Sequence, residues 1–271
     1  MKRMISLALA ATMLCGTLAG CAGSDSGKPT LTVYNWGDYI GEDVIEKFED
    51  QYDCKVNYEM FEQNEDMYTK LKTVENTYDV VIPSDYMIER MINEGMLEEL
   101  NKENIPNLEH IISYCLDRDF DPGNVYSVPY MWGTVGIIYN TTMVDEPITG
   151  WKDLWDEKYE KNLFMMNSVR DSMGIALILC GYDMNSRDPE EIEEAKNKLI
   201  EQKPLVLAYT GDEVKDKMVA GEAAMAVCYS GDAITMIEQN EDLAYVIPEE
   251  GSNLWFDNMC IPKGAPNKEL A

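Results

Sequence analysis

Short apolar runs alternate with amphipathic stretches along most of this chain. Leu31–Asn35 is a compact strand-like run, and Asp43–Tyr52 follows with Val44, Ile45, Phe48 and Tyr52 at helical spacing. Cys54–Tyr58 alternates as a strand does. Asn64 then stands where it can cap a helix through about Val74, with Met67, Tyr68 and Leu71 on one face. Asp79–Pro83 is a run typical of a buried parallel strand, and a helix starts at Ser84 and stops near Gly95. This β-α-β-α-β-α order predicts a parallel sheet covered on both faces.

After a loop-rich stretch the alternation resumes. Val135–Tyr139 and Leu163–Met166 read as strands, Arg170–Cys180 and Pro189–Gln202 as helices, and Leu205–Tyr209 as a strand. Asp212–Val219 (helix), Ala223–Tyr229 (strand), Ala233–Gln239 (helix), Ala244–Pro248 (strand) and Trp255–Ile261 (strand) complete the set. Asp188-Pro189-Glu190-Glu191 is a clear helix start with proline in the first turn. Pro266–Ala271 reads as a helix that begins with an Asn cap and stops after one turn, so a truncated chain or an incomplete gene model is expected.

The N-terminal pattern is of another kind. Met1-Lys2-Arg3 precedes an apolar stretch from about Met4 to Leu18, too short to span a bilayer of about 30 Å. A charged start, a short apolar core and small residues at the exit make a secretory signal over residues 1–20. Leu18-Ala19-Gly20-Cys21 resembles the lipobox of bacterial lipoproteins, in which the cysteine is acylated and becomes the new N-terminus. An ordinary signal peptide with a chance cysteine is the competing reading. Diacylation at Cys21 would anchor the chain to the outer face of a membrane or in the periplasmic space, with residues 21–29 as a Gly/Ser tether.

Composition narrows the function. The chain has 271 residues and a net charge of −28, which loss of Lys2 and Arg3 takes to about −30. Such a surface repels nucleic acid and draws cations into clefts, although acidity also serves solubility alone. Behind Cys21 remain Cys54, Cys115, Cys180, Cys228 and Cys260, odd in number, with no CxxC pair, so buried free thiols are expected and no metal or cofactor is indicated. The one histidine, His110, lacks the neighbours for Ser-His-Asp or Cys-His chemistry. A carboxylate-pair glycosidase is conceivable only because an acidic chain supplies pairs by chance. No enzyme is expected.

In α/β lobes ligands bind beyond the carboxyl ends of strands. There the chain places Trp36-Gly37-Asp38-Tyr39, Ser84-Asp85-Tyr86, Asn167-Ser168-Val169-Arg170-Asp171 and Tyr229-Ser230-Gly231-Asp232, and near the last crossover sits Trp255-Phe256-Asp257. Aromatic faces with carboxylates suit an organic ammonium: cation–π contact for the body, charge-assisted hydrogen bonds for the amines. Each motif alone is as compatible with core packing. A quaternary amine or a sugar remains an alternative, though Asp38, Asp171 and Asp257 favour primary amines.

Tyr34–Tyr39, Asp66–Lys72, Tyr78–Ser84, Pro129–Thr134, Trp255-Phe256-Asp257 and Ile261-Pro262 together resemble the spermidine/putrescine-binding proteins of bacterial ABC importers, over residues 30 to 271. The resemblance implies a two-lobed, type II periplasmic-binding-protein-like α/β fold, each lobe a mostly parallel sheet flanked by helices. Lobe 1 would comprise residues 30–136 plus 251–271 and lobe 2 residues 137–250, with a further C-terminal segment of the family missing. It implies a monomer that delivers a polyamine to ABC permease subunits. Trp36, Tyr229 and Trp255 match positions that box the methylene chain, with Tyr229 where the family usually has Trp. Asp257 matches the carboxylate that holds an amine, and Asp171 a position that is often Glu. Ser84 and Tyr86 match hydroxyl contacts, and Gly37, Asp38 and Tyr39 the first-loop contacts. Ser168 departs from a frequent Asp, which leaves the preference between spermidine and putrescine open.

Overall fold

The computed structural model describes residues 27–271, so the signal over residues 1–20, Cys21 and most of the tether lie outside the described residues. The strands are β1 (Thr30–Trp36), β2 (Lys55–Phe61), β3 (Val80–Val81), β4 (Ser127–Asn140), β5 (Leu163–Met166), β6 (Ala208–Thr210), β7 (Met225–Tyr229), β8 (Leu243–Val246) and β9 (Leu254–Cys260). The helices are α1 (Val44–Tyr52), α2 (Asn64–Thr73), α3 (Asp85–Asn93), α4 (Val169–Leu179), α5 (Pro189–Gln202), α6 (Val214–Val219) and α7 (Ser230–Gln239). Strand order is β2-β1-β3-β9-β4-β7-β5-β6, with β8 also paired to β4.

Two lobes meet along β4. Its first half, Ser127–Thr134, pairs with β9, and its second half, Val135–Asn140, pairs with β7 and β8. The expected parallel pairing holds for β2-β1-β3 and for β6-β5-β7. The antiparallel pairs arise where β4, β8 and β9 pass between the lobes.

Strand alternation explains the uninterrupted apolar runs of the second lobe. Ile137, Leu163, Met165, Met225 and Val227 face one cluster with Trp151 and Leu154. Their neighbours Ile138, Phe164, Ala226 and Cys228 face the other, with Met218 and Met236. Both faces are covered, so every position along these strands must be apolar. In the first lobe Tyr34, Phe61, Met67, Val81, Met87, Ile88 and Met91 share one core. The five described cysteines are free, and all but the half-buried Cys180 are buried.

Some expectations are corrected. The stretch before Val135 is not all loop, because β4 begins at Ser127. Pro129 has no N–H to give the ladder, and the register shifts between Pro129 and Met131, which hides the alternation. Asn64 does not cap α2. It is buried, donates to Ser84 Oγ at 3.0 Å and accepts from the Ser84 N–H at 3.1 Å, tying the loop after β2 to the loop after β3. Pro266–Ala271 forms turns in which the Asn267 carbonyl accepts from Leu270 and Ala271, while its side chain binds Thr30 and Asp79. His110 sits exposed on a short 3₁₀ turn.

Candidate functional site

The carboxyl ends of the strands in both lobes face one cleft with about 990 Å³ of empty space, part of it open to solvent. All eleven side chains and backbone positions expected from the sequence line it: Trp36, Gly37, Asp38, Tyr39, Ser84, Tyr86, Ser168, Asp171, Tyr229, Trp255 and Asp257. Among the described residues eight carboxylates and two cations, Arg170 and Lys215, share this lining. The cleft is therefore a strongly negative, partly desolvated space, where a cation gains more from each carboxylate than it does in water.

From the first lobe, β1 ends in Trp36, whose indole Nε1 donates to the Ile82 carbonyl at 2.9 Å and whose ring lies 4.4 Å from that of Phe61. These two contacts fix the plane of the indole. The chain then turns through Asp38 in the left-handed region, φ 44°, and brings Tyr39 back over the cleft. Tyr39 donates its hydroxyl to Asp257 Oδ2 at 2.8 Å. Ser84 stands at the N-terminus of α3, bridged to Asp257 through the backbone. Asp85, beside it, accepts from the Phe256 N–H at 3.0 Å, which positions the strand carrying Trp255 and Asp257. The Tyr86 hydroxyl donates to Glu65 at 3.0 Å.

Asp257 is buried, 5% exposed, as is Asp171 across the cleft. Its Oδ2 has Tyr39, and its Oδ1 has no partner among the described residues. Burial pushes the carboxyl up to about 7, the nearby Ser84 hydroxyl and the Tyr39 hydrogen bond oppose the rise, and the charges of Asp85 and Asp171 add to it. Burial and the neighbouring Asp257 charge likewise raise the Tyr39 hydroxyl, which stays a donor.

The second lobe supplies a carboxylate of the opposite character. Asp171 Oδ2 accepts from Ser168 Oγ at 2.7 Å and from Tyr229 Oη at 3.0 Å, and its Oδ1 accepts from Asn253 Nδ2 at 2.9 Å. Ser168 caps α4, its Oγ accepting from the Asp171 N–H at 3.2 Å. Tyr229 and Trp255 stand edge to face, ring centres 5.6 Å apart. The Trp255 indole N–H, buried, has no acceptor among the described residues. Arg170 from this lobe lies over the Tyr86 ring of the other, 5.4 Å from its centre.

Sequence reasoning missed part of the lining. Glu62, Gln63, Asn64 and Glu65 follow β2, and Asp212 follows β6. The rule that ligand groups follow strand ends, applied to Phe61 and Thr210, finds them. Lys215, in the first turn of α6, and Asn253, before β9, were not among the residues expected. Lys215 Nζ lies 3.2 Å from Asp38 and 3.9 Å from Asp232.

Comparison with known proteins adds the family. The profile described as bacterial extracellular solute-binding protein matches residues 43–271. A Salmonella typhimurium protein named spermidine/putrescine-binding periplasmic protein is 36% identical over the whole chain and 78% of its own length. The solved spermidine/putrescine ABC transporter substrate-binding protein of Streptococcus pneumoniae, with calcium and HEPES, is 44% identical. It superposes with a TM-score of 0.73 over 89% of this chain and 75% of its own. The TpPotD lipoprotein of Treponema pallidum is 30% identical, with a TM-score of 0.82 over 89% of this chain and 77% of its own.

Proposed function

The chain belongs to the bacterial extracellular solute-binding proteins, and from that we propose that it captures spermidine or putrescine between its lobes and delivers it to an ABC permease. The observation that carries the reading is the half-partnered Asp257: a buried carboxylate with one oxygen unpartnered among the described residues, set among aromatic faces in a cleft that these residues line with eight carboxylates. An ammonium supplies the missing donor, and its charge favours the ionised carboxylate. Trp36, Tyr229 and Trp255 offer faces and edges to the methylene chain between two ammonium ends. Asp257 receives one end and Asp171 the other, with Ser168 and Tyr229 orienting Asp171. Gly37, Asp38, Tyr39, Ser84 and Tyr86 shape the first-lobe wall.

No bond is made or broken in this function, and the relatives are transport binding proteins. The work done is a shift between open and closed arrangements of the lobes, driven by tighter binding to the closed one. The switch of β4 from β9 to β7 and β8 between Thr134 and Val135 supports lobe limits of 30–136 plus 251–271 and 137–250. No described helix is long and apolar enough to cross a membrane. Attachment to the outer face of the cell membrane rests instead on acylation of Cys21 behind the signal at 1–20, and a lipoprotein among the relatives supports that placement. We take the working unit to be a monomer.

Titration of tryptophan fluorescence with spermidine and with putrescine tests the reading. A saturable change at micromolar ligand is expected, because Trp36 and Trp255 line the cleft. No change with either amine refutes it. Saturable change with a quaternary amine or a sugar, and none with these, moves the function to another small cationic or polar solute.

A further inference from the structure

Among the described residues Lys215 is the one lysine lining the cleft. It projects from α6 in the second lobe, and its Nζ lies 3.2 Å from Asp38 Oδ2 of the first lobe and 3.9 Å from Asp232 Oδ1 of its own. Its side chain is 24% exposed and that of Asp232 27%, so this contact lies partly out of water. Asp212 belongs to the same group through its charge, which acts on Lys215 together with those of Asp232 and Asp38. Three carboxylates from two lobes thus surround one primary ammonium that the protein itself carries.

Of the other cleft carboxylates, Asp85 and Glu65 accept from the Phe256 N–H and the Tyr86 hydroxyl, while Asp257 and Asp171 are linked to this group through aromatic side chains. Asp38 is adjacent to Tyr39, which donates to Asp257. Asp257 is two residues from Trp255, whose ring meets Tyr229, and Tyr229 donates to Asp171. Along these links there are three negative poles: the Asp38, Asp212 and Asp232 group, then Asp257, then Asp171. Lys215 fills the first. Asp257 keeps an oxygen with no partner among the described residues.

We infer that Lys215 is a specificity-determining residue: its ammonium occupies the pole that a third ligand ammonium would take, so the cleft favours a two-ammonium ligand over a three-ammonium one. The inference rests on the polyamine reading of the same site. An alkyl diamine spans the two remaining poles and leaves Lys215 in place. A triamine must either displace Lys215 from Asp38 and Asp232 or hold its extra charge without that pole. Either way it loses one charge-assisted interaction relative to a site without the lysine.

The test compares dissociation constants for putrescine and spermidine, by calorimetric titration, on the wild-type chain, Lys215→Met and Lys215→Arg. Methionine keeps an unbranched side chain of similar length without the charge, and arginine keeps the charge. Both constants fall in Lys215→Met because the cleft becomes more negative, so the ratio of the two is the readout. The expected result is a shift of about tenfold in that ratio toward spermidine for Lys215→Met, the scale of one charge-assisted hydrogen bond. Lys215→Arg should keep the wild-type ratio. An unchanged ratio in Lys215→Met with both amines still bound overturns the role of Lys215 and leaves the polyamine reading intact. Failure of the wild-type chain to bind either amine overturns the polyamine reading and this inference with it. A circular-dichroism melt of each variant shows that the folded protein is being compared. Loss of the fold in Lys215→Met while Lys215→Arg stays folded makes Lys215 a structural ion-pair partner and overturns the assignment.

Discussion

Replacing Asp257 with Asn should make the empty protein less sensitive to pH while weakening its hold on a polyamine. An aspartate in the unfolded chain ionises near 3.8, and burial carries Asp257 to about 7 in the folded one. Between those values the folded state holds a proton that the unfolded state has released. Stability from this group is therefore lost as pH rises from about 4 to about 7, and the loss is complete above 7. A difference of roughly three pKa units at about 1.4 kcal/mol each puts the cost near 4 kcal/mol as an order of magnitude. Asn keeps the shape and can accept from Tyr39, but it has no charge to desolvate. Its amide then faces the position of the unpartnered Oδ1, and a buried donor without an acceptor costs about 1–3 kcal/mol at every pH. The slope separates these effects and the absolute value does not. Urea unfolding at pH 4.5, 6 and 8 for both proteins should show the wild type losing more stability across the range than Asp257→Asn, by about 2–4 kcal/mol. Parallel stability curves would refute the claim that Asp257 is ionised only at a cost. The same variant should bind spermidine and putrescine at least about tenfold more weakly at pH 8, since a hydrogen bond to a charged group is worth about 1.5–3 kcal/mol.

Affinity for either amine should itself rise with pH up to about 7 and level off above it, because an ammonium selects the ionised Asp257 and the ligand stays charged throughout; calorimetry at pH 5.5 and 8 in buffers of different ionisation enthalpy reads both the affinity and the proton released. Ser168→Ala removes the cap of α4 and a donor to Asp171, and urea denaturation should give a loss of about 1–2 kcal/mol together with weaker amine binding. Gly136→Ala places a Cβ 2.4 Å from the Tyr245 ring and 2.5 Å from the Val246 carbonyl, so it should destabilise the chain by more than about 2 kcal/mol in the same assay.

Much of this molecule is legible without coordinates because its signals are local. The strands of the second lobe are buried on both faces and read as unbroken apolar runs. The helix α5 carries its start signal in place, with Asp188 capping it and Pro189 in its first turn. Strand ends with aromatics and carboxylates marked one cleft because every βα turn in such a sheet opens on the same edge. What was hidden depends on partners far away in sequence. The first half of β4 is held by β9 across more than 120 residues, while Pro129 and the bulge erase its alternation. Asn64 looks like a cap, yet its amide is used to clamp Ser84. Lys215 has an unremarkable helical context, and only the approach of the lobes sets it beside Asp38. No periodicity reports an ion pair of that kind.

The position of β9 in the first lobe has a consequence for the order of synthesis. This strand lies between β3 and β4, with Val81 opposite Cys260 and Ser127 opposite Cys260 from the other side. Translation delivers β3 and β4 long before residues 254–260 exist. Until those residues emerge, the growing chain presents two unpaired strand edges separated by a gap one strand wide, an arrangement open to mispairing with other chains. The sheet of the first lobe cannot close while the nascent chain is shorter than about 260 residues. Folding of this half must therefore follow synthesis of nearly everything described here, and long-range pairing of that kind is slow to form. An extracellular solute-binding protein gains from this delay, because a strand made so late keeps the first lobe open during export.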